Sequence, residues 1–132
     1  MRVADIMTRA VVTVAMDDSL RVAREKLRRG GFHHLLVMRH DRLIGVVSDR
    51  DILRELSPFL DQLAERAQDA RTLERPVHQL MTRALVVVGP DCSVREATER
   101  LLATKVSCLP VVSPSGVVEG IVTWRDLIRA LL

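Results

Sequence analysis

Gly45-Val46-Val47-Ser48-Asp49-Arg50-Asp51 recurs later in the chain as Gly120-Ile121-Val122-Thr123-Trp124-Arg125-Asp126. Both copies read glycine, two apolar residues, a hydroxyl residue, two more positions and an aspartate preceded by arginine. A hydroxyl residue followed three positions later by an acid is a capping box, the start of a helix. The apolar pair before it reads as the end of a buried strand. Each copy is therefore a strand-to-helix junction whose first helical turn carries orphan amides, a natural place for phosphate. The arginine adds a phosphate partner, the carboxylate can accept two sugar hydroxyls, and the glycine permits a close approach to the strand, read here as that of a ligand.

Outward from this junction the whole chain duplicates. Met7-Thr8-Arg9-Ala10 returns letter for letter as Met81-Thr82-Arg83-Ala84, and Asp17, Ser19, Arg21, Ala23, Glu25 and Leu27 return as Asp91, Ser93, Arg95, Ala97, Glu99 and Leu101. The register slips by one residue in a surface turn, after which Gly45, Arg50, Asp51 and Arg54 match Gly120, Arg125, Asp126 and Arg129. Three segments follow: repeat 1 at 1-56, a connector at 57-76 and repeat 2 at 77-132. Each repeat reads as strand, helix, strand, strand, helix. The first strand is Ala10 to Val14, copied by Ala84 to Val88. The next helix is capped at Ser19 and stopped by Gly30-Gly31; its twin begins at Ser93 with Glu96 completing a capping box. The hairpins run Leu35 to Met38 and Leu43 to Val47 around Asp41, and Leu109 to Val112 and Val117 to Val122 around Ser113-Pro114-Ser115-Gly116. In the connector, Leu60, Leu63, Ala64 and Ala67 fall at helical spacing between Pro58 and Pro76.

Composition narrows the function classes. The 132 residues are 48% hydrophobic and 28% charged, the range of a globular chain that needs no staples. The net charge of +3 resides in repeat 1, the connector is net negative, and no dense basic stripe forms, so nucleic acid is not an expected partner. No apolar run approaches the roughly 18 residues of a membrane span, and Met1-Arg2-Val3-Ala4-Asp5 does not read as a secretory signal; a cytoplasmic location with no membrane partner is expected. Cys92 and Cys108 are the only cysteines, too few for a disulfide framework. Cys108 reads as a small buried residue and Trp124 as packed. Neighbours on a strand face opposite ways, so His33 and His34 cannot share a metal ion; His40 and His78 lack companions at a useful spacing. No nucleophile has a placed base, so no catalytic residue and no metal is expected.

The doubled Met-Thr-Arg opening, the strand Ser107-Cys108-Leu109-Pro110-Val111-Val112 and the two Gly-x-x-Ser/Thr-x-x-Asp elements resemble a pair of cystathionine-β-synthase (CBS) domains, a Bateman module. The resemblance covers nearly everything except 57-76. It implies an α/β (α+β) fold of two pseudo-twofold-related β-α-β-β-α repeats packed through their sheets, and a regulatory module that binds an adenine nucleotide, AMP, ADP or ATP, in the cleft between them. It further implies composite sites: Val46, Ser48, Arg50 and Asp51 with Ala84, Val86, Val106 and Ser107; and Ile121, Thr123, Arg125 and Asp126 with Ala10, Val12, Phe32 and His33. His34 stands where an arginine is frequent in the family, with Cys108 as its counterpart, and Leu36 replaces the proline kept as Pro110. Family habit implies a homodimer joined through helices, with a separate protein as the regulated partner. Two other readings stay open: a dimerisation module in which both aspartates merely cap helices, and a binder of another adenosyl ligand such as NAD or S-adenosylmethionine.

Overall fold

Four helices begin where the sequence supplies a hydroxyl. In the computed structural model, which describes residues 1–56 and 70–132, Ser19 accepts the Val22 amide and opens α2, Leu20–Gly30. Ser48 accepts the Asp51 amide and opens α3, Asp49–Glu55. Ser93 accepts the Glu96 amide and opens α4, Val94–Ala103, and Thr123 opens α5, Trp124–Leu131. At its far end α2 stops on Gly31 at φ 65°, a left-handed position that favours glycine. The expected box at Ser93 is only half made: the Glu96 carboxylate turns to Arg100 at 3.0 Å, an i,i+4 pairing with a cation that competes for it. The expected helix over Leu60 to Ala67, with Pro58, lies outside the described residues, whereas residues 70–73 are helical.

Two compact units form, one from Val12–Arg83 and the other from Met1–Val11 with Ala84–Leu132. In the first, β1 (Thr13–Ala15) runs parallel to β2 (His34–Arg39), which pairs antiparallel with β3 (Arg42–Ser48). Leu20, Leu27, Leu35, Val37, Val47 and Ile52 form its core. In the second, β4 (Cys108–Val112) and β5 (Val118–Thr123) form the hairpin, and Leu101, Leu109, Val111, Val122 and Leu127 the core. The expected strand over Ala84 to Val88 is reduced to a single bridge, Val88 to Val111. The cause is one residue. In the first unit the Leu36 amide donates to Val12 O at 3.1 Å; its counterpart Pro110 has no N–H to donate to Val86.

Each unit is completed by the opening segment of the other repeat. The arm of repeat 1 contains a short helix, α1 (Val3–Ile6), and packs in the second unit: Val3 N donates to Cys92 O at 2.7 Å and Ala4 N to Pro90 O at 3.0 Å. The arm of repeat 2 begins with a 3-10 turn, Val77–Gln79, and packs in the first unit: Val77 N donates to Asp18 O at 2.8 Å and His78 N to Met16 O at 3.1 Å. Val3 and Val77 are fully buried in these cores.

The arms then cross the hairpins. Thr8 and Ile121 exchange two backbone hydrogen bonds of 2.9 Å, and Thr82 and Val46 exchange two of 2.9 and 3.1 Å. Met7 lies over Gly120 and Met81 over Gly45. The glycines therefore admit an arm of the chain, a correction to their expected service as a ligand's approach. A Cβ at Gly120 would stand 2.7 Å from Met7 Sδ and 2.8 Å from the Thr8 carbonyl oxygen, whereas at Gly45 the three nearest atoms all belong to the Met81 side chain, Sδ at 2.5 Å. Flexible thioethers yield and bridged carbonyls do not. Gly120→Ala is therefore expected to cost about 1–3 kcal/mol and Gly45→Ala less, read as shifts in the urea midpoint; the reverse order would contradict this account of the arms.

Candidate functional site

The two strand-to-helix junctions place a carboxylate at the first turn of α3 and of α5. Asp51 Oδ2 accepts the Ser48 amide at 2.8 Å while Ser48 Oγ accepts the Asp51 amide at 3.1 Å. Asp126 Oδ2 accepts both the amide of Thr123 at 2.9 Å and its hydroxyl at 3.3 Å. In each case one oxygen is committed to the helix start and the other is not. Asp51 Oδ1 instead receives Arg54 Nη2 at 2.6 Å, and Asp126 Oδ1 receives the Thr8 hydroxyl at 3.0 Å. Asp126 is 6% exposed. Thr8 was not among the expected site residues; the signal was its place in the doubled Met-Thr-Arg segment, but nothing local tied it to a residue near the other end of the chain.

The expected site residues divide between the units. Val12, Phe32, His33, His34, Val46, Ser48, Arg50 and Asp51 belong to the first; Ala10, Ala84, Val86, Val106, Ser107, Ile121, Thr123, Arg125 and Asp126 belong to the second. Within the first, the Asp49 amide donates to His33 O at 3.0 Å, and His33 Nδ1 meets Asp49 Oδ2 at 2.8 Å, so His33 is fixed at the start of α3. Val46 and Ile121 are buried, yet neither joins its unit's main core cluster. Arg50 and Arg125 are exposed. Trp124, expected to be packed, is 38% exposed: it is the first residue of α5, where the apolar side of the helix is set by Leu127. Among the described residues no cluster of His, Cys, Asp or Glu could hold a metal, and no helix is long and apolar enough to cross a membrane.

At corresponding positions on β2 and β4, His34 and Cys108 are both held uncharged near neutrality. Burial lowers the His34 pKa below its ordinary 6.5, opposed by Asp49 and reinforced by His33. Burial also pushes the Cys108 thiol up to about 12.

A family model, that of the CBS domain, matches the chain twice, over residues 3–58 and 77–132. The chain belongs to the CBS-domain family, as a tandem pair. It is 32% identical to a CBS domain-containing protein of Dictyostelium discoideum over 132 residues, 98% of this chain and 90% of that one. It is also 32% identical over 126 residues to the inosine-5'-monophosphate dehydrogenase of Korarchaeum cryptofilum, covering 96% of this chain but only 23% of that enzyme. Among solved structures, CBSX2 of Arabidopsis thaliana in complex with AMP superposes with a TM-score of 0.77 at 32% identity, over 98% of this chain and 95% of that one. The CBS domain pair of MJ0100, solved with 5'-methylthioadenosine and S-adenosyl-L-methionine, gives 0.79 at 23% identity over 99% and 95%, a likeness of fold. The mixed α and β architecture is thus that of a CBS pair.

These environments fix two outcomes. Because folding depresses the His34 pKa, the unfolded chain binds the extra proton first, and stability falls as pH drops from about 6.5 through the lower folded value. Denaturant titrations between pH 7 and 5 are expected to show a shallower fall for His34→Gln than for the native chain. With a folded value of about 12, the Cys108 thiol is almost wholly protonated at pH 8, so it is expected to resist alkylation until the chain is unfolded. Prompt labelling of Cys108 in the native protein, followed by peptide mass mapping, would contradict this burial.

Proposed function

We propose that this CBS pair is a regulatory module that binds an adenine nucleotide and catalyses no reaction of its own. The observation that carries the proposal is the split use of each aspartate. Oδ2 caps the helix while Oδ1 faces a side-chain donor, Thr8 or Arg54, that a ribose hydroxyl can replace. The AMP complex of a protein 32% identical over nearly the full length of both chains supports the ligand class. In this reading Asp51 and Asp126 hold ribose, Arg50 and Arg125 serve phosphate, and Val46 and Ile121 border the base. The ligand signals by favouring one of two arrangements of the repeats or of a homodimer, which requires unequal affinity for the two; a separate protein reads the result.

Titration calorimetry with AMP, ADP, ATP, NAD and S-adenosylmethionine tests the ligand class. A charge-assisted hydrogen bond contributes about 1.5–3 kcal/mol, so Asp51→Ala or Asp126→Ala is expected to weaken its own site roughly 10- to 150-fold, and the double variant to abolish binding. A folded double variant that binds as the native chain does would reduce both carboxylates to helix caps.

A further inference from the structure

The two carboxylates are not equivalent, and the difference points to an order of filling that rests on the nucleotide reading above. Asp126 is buried, and its oxygens receive only neutral donors: the Thr123 amide and hydroxyl and the Thr8 hydroxyl. Among the described residues no cation pairs with it. Arg129 has the same i+3 spacing from Asp126 as Arg54 has from Asp51, yet makes no such pair. A carboxylate shielded from water and without a counter-charge attracts hydroxyl donors strongly. A threonine hydroxyl can turn its hydrogen elsewhere when a ligand arrives.

Asp51 is differently placed. Its Oδ1 is held by the Arg54 guanidinium at 2.6 Å, with side-chain exposures of 73% for Arg54 and 18% for Asp51, and Thr82, the counterpart of Thr8, makes no hydrogen bond to this carboxylate. A ribose reaching Asp51 competes with a cation for Oδ1.

We propose that Arg54 acts as an internal plug on the Asp51 carboxylate, so that the Asp126 site takes the first nucleotide and the Asp51 site the second. An exposed ion pair of this kind is weak, and the plug tunes the second site by a small factor.

The test is calorimetry with AMP, carried to concentrations that fill both sites, on the native chain and three variants. Arg54→Gln, on a largely exposed side chain, leaves the fold intact. It is expected to strengthen the second binding event roughly two- to fivefold without moving the first. Asp126→Asn is expected to weaken the first event by about tenfold, while Asp51→Asn acts on the second alone. The proposal is overturned if Arg54→Gln leaves the second event unchanged, or if Asp51→Asn rather than Asp126→Asn removes the first. A native chain that binds no adenine nucleotide at all defeats the functional reading itself, and this inference with it.

Discussion

The structure depends on a methionine laid over a glycine. Met7 on Gly120 and Met81 on Gly45 allow an arm of backbone to come close enough to a hairpin strand for two hydrogen bonds to form beside each contact, Thr8 with Ile121 and Thr82 with Val46. Any side chain at the glycine would occupy the space of the thioether. The arm is anchored upstream by a valine with no exposed surface, Val3 or Val77, whose burial contributes on the order of 1.5–3 kcal/mol. Neither compact unit is built from one sequence repeat alone, because each borrows its arm from the other.

That constraint reaches the candidate site directly. The bridged residues Val46 and Ile121 lie two positions before Ser48 and Thr123, the residues that end β3 and β5 and cap α3 and α5. A strand end held from one side by its hairpin partner and from the other by an arm cannot fray, so the first helical turn, and the aspartate within it, is fixed in direction. Capping and ligand binding are then not rival uses of the aspartate. A carboxylate offers about four lone-pair sites; the helix start engages Oδ2, once in Asp51 and twice in Asp126, and the orientation this imposes is what presents Oδ1.

Much of this was legible because it is local. Hydroxyl caps, the left-handed stop at Gly31, the paired hairpins and the duplication all announce themselves within a few residues. Three features did not. A four-residue helix such as Val3–Ile6 has too few positions to show periodicity, and its partners Pro90 and Cys92 lie far along the chain. Pro110 was visible as a departure between the repeats, but its effect appears only once Leu36 is seen donating to Val12, a bond that proline forbids at the matching place. Glycine at positions 45 and 120 signals that something comes close to the strand without saying what, and the methionine that fills the space is unremarkable in sequence.

Duplication supplies two matching strand-to-helix junctions, and subsequent divergence separates them. At the position where the family often carries arginine, this chain has His34 on one strand and Cys108 on the other, and burial keeps both uncharged near neutral pH. An uncharged side chain cannot supply the charge-assisted bonds that an arginine gives phosphate. Cationic contacts in the proposed sites therefore fall to the exposed Arg50 and Arg125, whose charges water and salt screen. The buried Asp126 and the buried apolar Val46 and Ile121 are screened far less. Under the proposed function, sugar and base would then carry more of the recognition than the phosphate chain, and discrimination among one, two and three phosphates would rest on exposed arginines and the amides of the helix starts.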